Sequence, residues 1–377
     1  MTAPTLATER RIVDEGIVLD TPVMVVDESI LHQNIAEMQS FANSHAVALR
    51  PHIKTHKTPQ ITRLQLQAGA AGITCAKLGE AEVMVAQGGA DDVLLAYPIV
   101  GEPKIHRLLA LMERAHVIVA VDTREAAAAL SEAMAANERV LDLYVEVNTG
   151  QNRAGARPGD EALALALDIA RMPGLNPIGV MTHEGHAGSS APDAIERTAL
   201  AAGRAMVETA EAMRGAGLPI RVVSVGSTPS SPYTPTVPGV TEMRPGTYVF
   251  NDNNAFRHGR IGPDRCAARI VATVVSRPAP DRAIVDAGSK ALAYDPSPSH
   301  AGHGYIVGHP DAILSRISEE HGVVLLPEGE AEFAVGDRHE IIPNHVCPAI
   351  NLTDELTVVR DGRPIDVWRV AARGMVR

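Results

Sequence analysis

Along the first two-thirds of the chain, short apolar runs alternate with longer stretches in which apolar residues return every three or four positions. The short runs, at 22–26, 48–54, 73–76, 93–96, 117–121, 141–147, 178–181 and 222–225, read as buried strands. The longer stretches read as amphipathic helices: Leu31, Ile35, Met38 and Ala42 share one face, and 161–171 and 194–215 are the clearest later examples. The strands are apolar throughout, as in a parallel sheet covered by helices. Eight strand–helix units over roughly 230 residues match the usual size of a TIM-like (β/α)8 barrel. An open, doubly wound sheet is the competing architecture. The barrel is favoured because chemically capable residues follow nearly every strand, among them Lys54, Lys77, Tyr97, Asn148, His183 and Ser227. In a barrel those strand ends meet at one mouth.

After Asn254 the helical period fades and β-rich runs take over, at 269–275, 282–285, 322–326, 340–342 and 356–360. Pro278, Pro280, Gly362 and Pro364 punctuate them. The expected organisation is an α/β barrel over 21–254 and an all-β domain over 255–377, with 1–20 available to add an edge strand. The segment 296–302, rich in Pro, Ser and Gly, is the expected flexible loop.

Composition narrows the partners. A net charge of −11 over 377 residues argues against nucleic acid, whose phosphates call for a basic patch. Cys75, Cys266 and Cys347 are few, odd in number and scattered, which suits a reducing compartment rather than a disulfide framework. No apolar run is long enough to span a bilayer, and the N-terminal stretch lacks a basic-then-apolar signal pattern. A soluble cytoplasmic protein acting on a small molecule is the expectation.

Six stretches carry candidate chemistry. Arg50-Pro51-His52-Ile53-Lys54-Thr55-His56-Lys57 ends a strand in two lysines and two histidines. Burial disfavours an ammonium, and a neutral lysine is a nucleophile for aldehydes; a basic surface turn is the plainer reading. Gly226-Ser227-Thr228 and Arg244-Pro245-Gly246-Thr247-Tyr248 lie where barrels of this size often hold a phosphate through backbone N–H groups and hydroxyls. His345 and Cys347 stand two apart, so on an extended chain they face the same way and could grip one cation. Imidazole with thiolate favours zinc, and two protein ligands leave positions open for water or substrate. The arginine of Gly150-Gln151-Asn152-Arg153-Ala154-Gly155 could reach a cofactor oxygen, and His183, Glu184 and His186 offer acid–base groups or a further metal contact.

Taken together, Arg50 to Lys57 and the His-x-Cys pair resemble the D-threonine aldolase and D-serine dehydratase family, pyridoxal-phosphate enzymes of the alanine-racemase-like fold called fold type III. The likeness extends over Thr21-Pro22, Gly72 to Lys77, Gly150 to Gly155, Arg244 to Tyr248, Ser276 to Arg282 and Val367 to Gly374. It implies that Lys54 carries pyridoxal 5'-phosphate as a Schiff base, with Lys57 as a neighbour. It implies that Arg153 bonds the cofactor's phenolic oxygen, and that Gly226, Ser227, Thr228, Gly246 and Thr247 cradle the phosphate with Tyr248 nearby. It further implies a divalent metal on His345 and Cys347 (zinc first, with manganese or magnesium as alternatives) and His183 or Lys54 as the base. The expected substrate is a D-3-hydroxy amino acid, cleaved to glycine and an aldehyde. The alternative is β-elimination to a 2-oxo acid and ammonia, as in D-serine dehydratases, which this chain resembles in carrying cysteine at 347. The aldolases have a Tyr-His pair where this chain has His183-Glu184. An amino-acid racemase and a non-catalytic cofactor carrier are lesser readings; the β domain speaks against the carrier. A homodimer, each β domain approaching the other chain's barrel, is implied by the resemblance alone.

Overall fold

A computed structural model describes residues 10–189, 192–259, 261–297 and 301–377. Its strands are β1 (Val23–Asp27), β2 (Ala48–Leu49), β3 (Ile73–Cys75), β4 (Asp92–Leu95), β5 (His116–Val121), β6 (Leu141–Glu146), β7 (Leu175–Met181), β8 (Val222–Val225) and β9 (Glu242–Met243). These are followed by β10 (Ala268–Ala279), β11 (Arg282–Val285), β12 (Gly304–Ile306), β13 (Ile313–Ile317), β14 (Gly322–Leu325), β15 (Arg338–Pro343), β16 (Glu355–Arg360) and β17 (Arg363–Arg369). They fall into two compact units.

The first unit comprises Ala36–Lys54, Thr58–Gly246 and Gly374–Arg377. Its eight strands run parallel in the order β2-β9-β8-β7-β6-β5-β4-β3. A parallel bridge between His52 and Thr74 joins the two ends, so the sheet closes into a barrel. Leu94, Ile118, Ala120, Tyr144, Ile178 and Met181 form one buried cluster. Charge is buried in this unit as well. Arg50 Nε donates to Glu242 Oε2 at 2.7 Å, Ser224 Oγ donates to Glu242 Oε1 at 2.6 Å, and Arg244 Nε donates to Ser224 Oγ at 2.9 Å. Such groups persist in an interior only because each is met by a partner.

Three expectations about strands change. The run expected as the first barrel strand, β1, lies in the other sheet, antiparallel to β10 and parallel to β16. The eighth barrel strand is the two-residue β9, whose Glu242 breaks the apolar pattern and hides it from a hydrophobicity reading. The strand expected to reach Lys54 stops at Leu49, because Pro51 has no N–H to give the ladder. A 3-10 turn, Ile53–Thr55, carries Lys54 instead.

The second unit comprises residues 10–35, 55–57 and 247–373. Its mostly antiparallel sheet runs β13-β14-β11-β10-β1-β16-β17, with β15 pairing β10 and β12. Among its described residues, the N-terminal segment adds no strand. Ile12 and Val13 instead donate their backbone N–H groups to the Glu340 carboxylate, itself bound to the buried Arg269 at 2.8 Å. Ile17 and Leu19 pack on Val25, Val271 and Val359. Of the expected loop at 296–302, residues 298–300 lie outside the described residues.

Candidate active site

The barrel's strand ends bring several of the expected residues together. Lys54 is partly exposed on its turn, beside His52. His183 follows β7, and its Nδ1 lies 3.0 Å from the carbonyl oxygen of Gly226. A carbonyl only accepts, so Nδ1 carries the proton and Nε2 keeps a bare lone pair. Burial, reinforced by the charge on Lys54, lowers the His183 pKa to about 3. The ring is therefore neutral at physiological pH and can act as a base through Nε2. Gly185 preserves access: a Cβ there would stand 2.5 Å from Nε2.

The turn after β8 is held from beneath. Glu184 is fully buried and accepts from the Gly226 N–H at 3.1 Å, Ser230 Oγ at 2.8 Å and Thr234 Oγ1 at 3.1 Å. Ser227 Oγ lies 2.8 Å from Ser230 Oγ, and Thr228 accepts Ser231 Oγ through its carbonyl at 2.8 Å. Gly226 has φ +144°, and a Cβ there would meet the Arg244 backbone nitrogen at 2.5 Å, so only glycine fits. The Gly226 N–H thus points at a carboxylate within the protein, and the residue contributes shape to the turn. Arg244 is buried, donating to Ser224 Oγ and to the Thr182 carbonyl. Arg153 is exposed on a turn whose Gly150 and Asn152 N–H groups both donate to Asn148 Oδ1 at 3.0 Å. It is close enough to His183 and Glu146 to act on their charge. His186 sits over Gly150.

Thr247, Tyr248, His345 and Cys347 belong to the second unit. His345 and Cys347 do not share one face of a strand, because the extended chain ends there. His345 is the extended residue that opens the helix Val346–Leu352, and Cys347 lies in the helix's first turn. The pair still meets, and its hydrogen bond contributes to His345 titration. Burial disfavours the imidazolium, but Cys347 and the carboxylates of Asp252 and Asp295 outweigh it and bring the pKa to about 9. Asp295 Oδ2 lies 2.9 Å from His345 Nδ1, which leaves Nε2 for another partner. Cys347 Sγ lies 3.2 Å from Thr55 Oγ1 and 3.7 Å from Thr247 Oγ1. Asp252 fixes the helix start by accepting the Val346 N–H at 3.2 Å. Among the described residues no three His, Cys, Asp or Glu side chains form a metal-holding group, and His186 adds none. An imidazole oriented by a carboxylate next to a thiol is nonetheless a donor set that suits a borderline-soft cation with open positions.

Sequence reasoning missed Asp295, which stands 50 positions before His345 with no motif to mark it. It also took Glu184 for an acid–base group, whereas the folded chain gives it to the turn after β8.

Two family models match this chain: that of the alanine racemase N-terminal domain over 26–254 and that of a putative serine dehydratase domain over 267–359. A D-threonine aldolase of Arthrobacter sp. is 35% identical over 363 residues, covering 95% of this chain and 94% of that one. The crystal structure of D-threonine aldolase from Filomicrobium marinum superposes with a TM-score of 0.88 at 34% identity, covering 95% of this chain and 97% of that one. A metal-free form of a D-threo-3-hydroxyaspartate dehydratase mutant superposes with a TM-score of 0.86 at 32% identity, covering 93% of this chain and 97% of that one.

Proposed function

Because the chain belongs to the D-threonine aldolase and D-serine dehydratase family, with the alanine-racemase-like fold, we propose that it is a lyase dependent on pyridoxal 5'-phosphate and a divalent metal. Its reaction cleaves a D-3-hydroxy amino acid to glycine and an aldehyde. The observation that carries this reading is a neutral His183 with Nε2 bare, acting on the same group of barrel-end residues as Lys54.

The donor set fits the cofactor: an amine for its aldehyde at Lys54, a guanidinium for its phenolic oxygen at Arg153, and hydroxyls and small residues for its phosphate at Gly226, Ser227, Thr228, Gly246 and Thr247, with Tyr248 following Thr247 in the chain. When bound, pyridoxal phosphate would supply an electron sink, and a cation held by His345 and Cys347 would supply a Lewis acid. The protein's own part is proton handling. His183 Nε2 takes the β-hydroxyl proton, the oxygen's electron pair becomes the aldehyde carbonyl, and the Cα–Cβ bond breaks. A proton delivered to Cα completes glycine. Glu184 keeps the turn under Gly226 rigid, and Asp295 keeps the His345 ring oriented.

Zinc is the favoured cation because imidazole and thiolate both suit it. Free Cys75, Cys266 and Cys347 suit a cytoplasmic enzyme, and among the described residues no helix is long and apolar enough to cross a membrane. A homodimer follows from the family resemblance. The thiol at 347 favours a second reading, β-elimination to a 2-oxo acid and ammonia. Incubation with D-threonine and D-serine, with and without chelator, separates the two. Glycine with acetaldehyde supports cleavage; 2-oxobutyrate or pyruvate with ammonia replaces it by elimination; metal-independent turnover removes the cation from either scheme.

A further inference from the structure

Asn344 stands immediately before His345, is 2% exposed and has no part in the chemistry above. Its amide nitrogen donates to two carbonyl oxygens, that of Asp295 at 3.1 Å and that of Gly302 at 2.9 Å. Its amide oxygen accepts from Asn253 Nδ2 at 2.8 Å, and its backbone carbonyl accepts the Asn254 N–H at 3.2 Å. Backbone carbonyls only accept, so the pattern fixes which end of the amide faces Asp295 and Gly302.

These bonds converge on His345. Asp252 accepts the Val346 N–H through Oδ2 and the Ala255 N–H through Oδ1, at 3.2 and 2.9 Å. The segment 252–254 therefore grips the backbone on both sides of His345, at Asn344 and at Val346. The ring is turned by Asp295, yet both side chains of that pair are open to water, His345 by 43% and Asp295 by 46%. An ion pair so exposed holds little orientation by itself. The Asp295 backbone keeps the carboxylate within reach, and Asn344 holds that backbone by its carbonyl. A buried amide resists release, because each bond it gives up leaves a group unpaired away from water.

We infer that Asn344 is a positioning residue for the cation: it places Asp295, Asp295 orients the His345 ring, and the ligand pair is set before any cation arrives. The inference rests on the cation half of the lyase reading. It gives Asn344 no contact with the metal or the substrate.

The test is a cobalt(II) titration of the cofactor-loaded, chelator-treated protein, followed through the visible bands that report the geometry around the bound ion. Asn344→Ala should weaken cobalt binding about 10-fold or more and shift the bands. Asn344→Asp keeps the size and loses both donors, so it should bind as poorly as the alanine variant; wild-type affinity in either would overturn the inference. Because Asn344 acts through Asp295, the double variant Asn344→Ala with Asp295→Asn should bind about as well as Asp295→Asn alone. Losses that multiply would give Asn344 a merely structural role and overturn the assignment. Hydrogen exchange of the wild type needs no variant: the Asn254 and Val346 N–H groups should be protected before cobalt is added, and exchange as fast as in a free chain would refute the preset arrangement. Cobalt binding is read without turnover. A protein that binds cobalt in this way yet cleaves no D-3-hydroxy amino acid refutes the lyase reading alone, whereas a wild type that binds no cobalt removes the cation and this inference together.

Discussion

Replacing Glu184 separates two reasons for burying a carboxylate under the turn after β8. In Glu184→Leu the volume is kept and all three hydrogen bonds are lost. Ser230 Oγ retains the Ser227 carbonyl at 3.1 Å, and Thr234 Oγ1 retains the Ser230 carbonyl at 3.3 Å, so both hydroxyls have somewhere to go. The Gly226 N–H has no such fallback, because its acceptor is Glu184 Oε2. A buried donor left unsatisfied costs about 1–3 kcal/mol. In Glu184→Gln the amide oxygen can face Gly226 while the amide nitrogen donates to Ser230 Oγ, so most of that loss should be avoided. Urea unfolding of the three apoproteins should therefore rank them wild type, Gln, Leu, with Leu about 1–3 kcal/mol below the wild type. Loosening the turn should also weaken pyridoxal phosphate, read by absorbance titration, by about 5- to 100-fold in the leucine variant. If the glutamine variant fell as far as leucine, charge beside Arg244 rather than satisfaction of the Gly226 N–H would be what matters, and the reasoning would be refuted. If leucine matched the wild type in both assays, the turn would not need its anchor at all.

Further predictions follow from the same geometry. His183 has a folded-state pKa near 3 against 6.5 in a free chain, so between those values the unfolded state holds a proton that the native ring refuses. Stability is thus unaffected above pH 6.5 and falls as pH drops toward 3, with a contribution of up to about 1.4 kcal/mol per pH unit. His183→Gln should flatten the pH dependence of unfolding by that share; an unchanged slope would show that the ring is not held neutral. Asp295→Asn leaves the donor atoms in place but weakens the orientation of His345, so cation affinity should fall about 10- to 100-fold in a competition with a fluorescent chelator. Unaltered affinity would remove His345 from the coordination set. Borohydride treatment of the holoenzyme should label the peptide containing Lys54, and Lys54→Ala should abolish the label; modification of Lys57 or Lys77 instead would move the nucleophile.

The chain's patterning marks most of the barrel, because a parallel strand buried on both faces must be apolar wherever it sits. It marked Lys54, His183 and the His345–Cys347 pair for a related reason: reactive side chains straight after an apolar run have little structural purpose there. Hydrophobicity reports that a strand is buried, though not which strand lies next to it. β1 is as apolar as its barrel neighbours, yet it pairs with β10 and β16, more than 200 positions away. In β9 the error runs the other way, since Glu242 looks like a solvent residue until Arg50 and Ser224 are brought to it from other strands.

Polar residues are the least legible from sequence, because their burial is tolerable only when partners from remote segments satisfy them. Glu184 became an anchor and Asp295 an orienting group through neighbours the linear order does not reveal. The sequence alone determined where apolar surface and reactive groups lie along the chain. Only the tertiary structure decided which charges are compensated, and a charge's chemistry depends on that compensation.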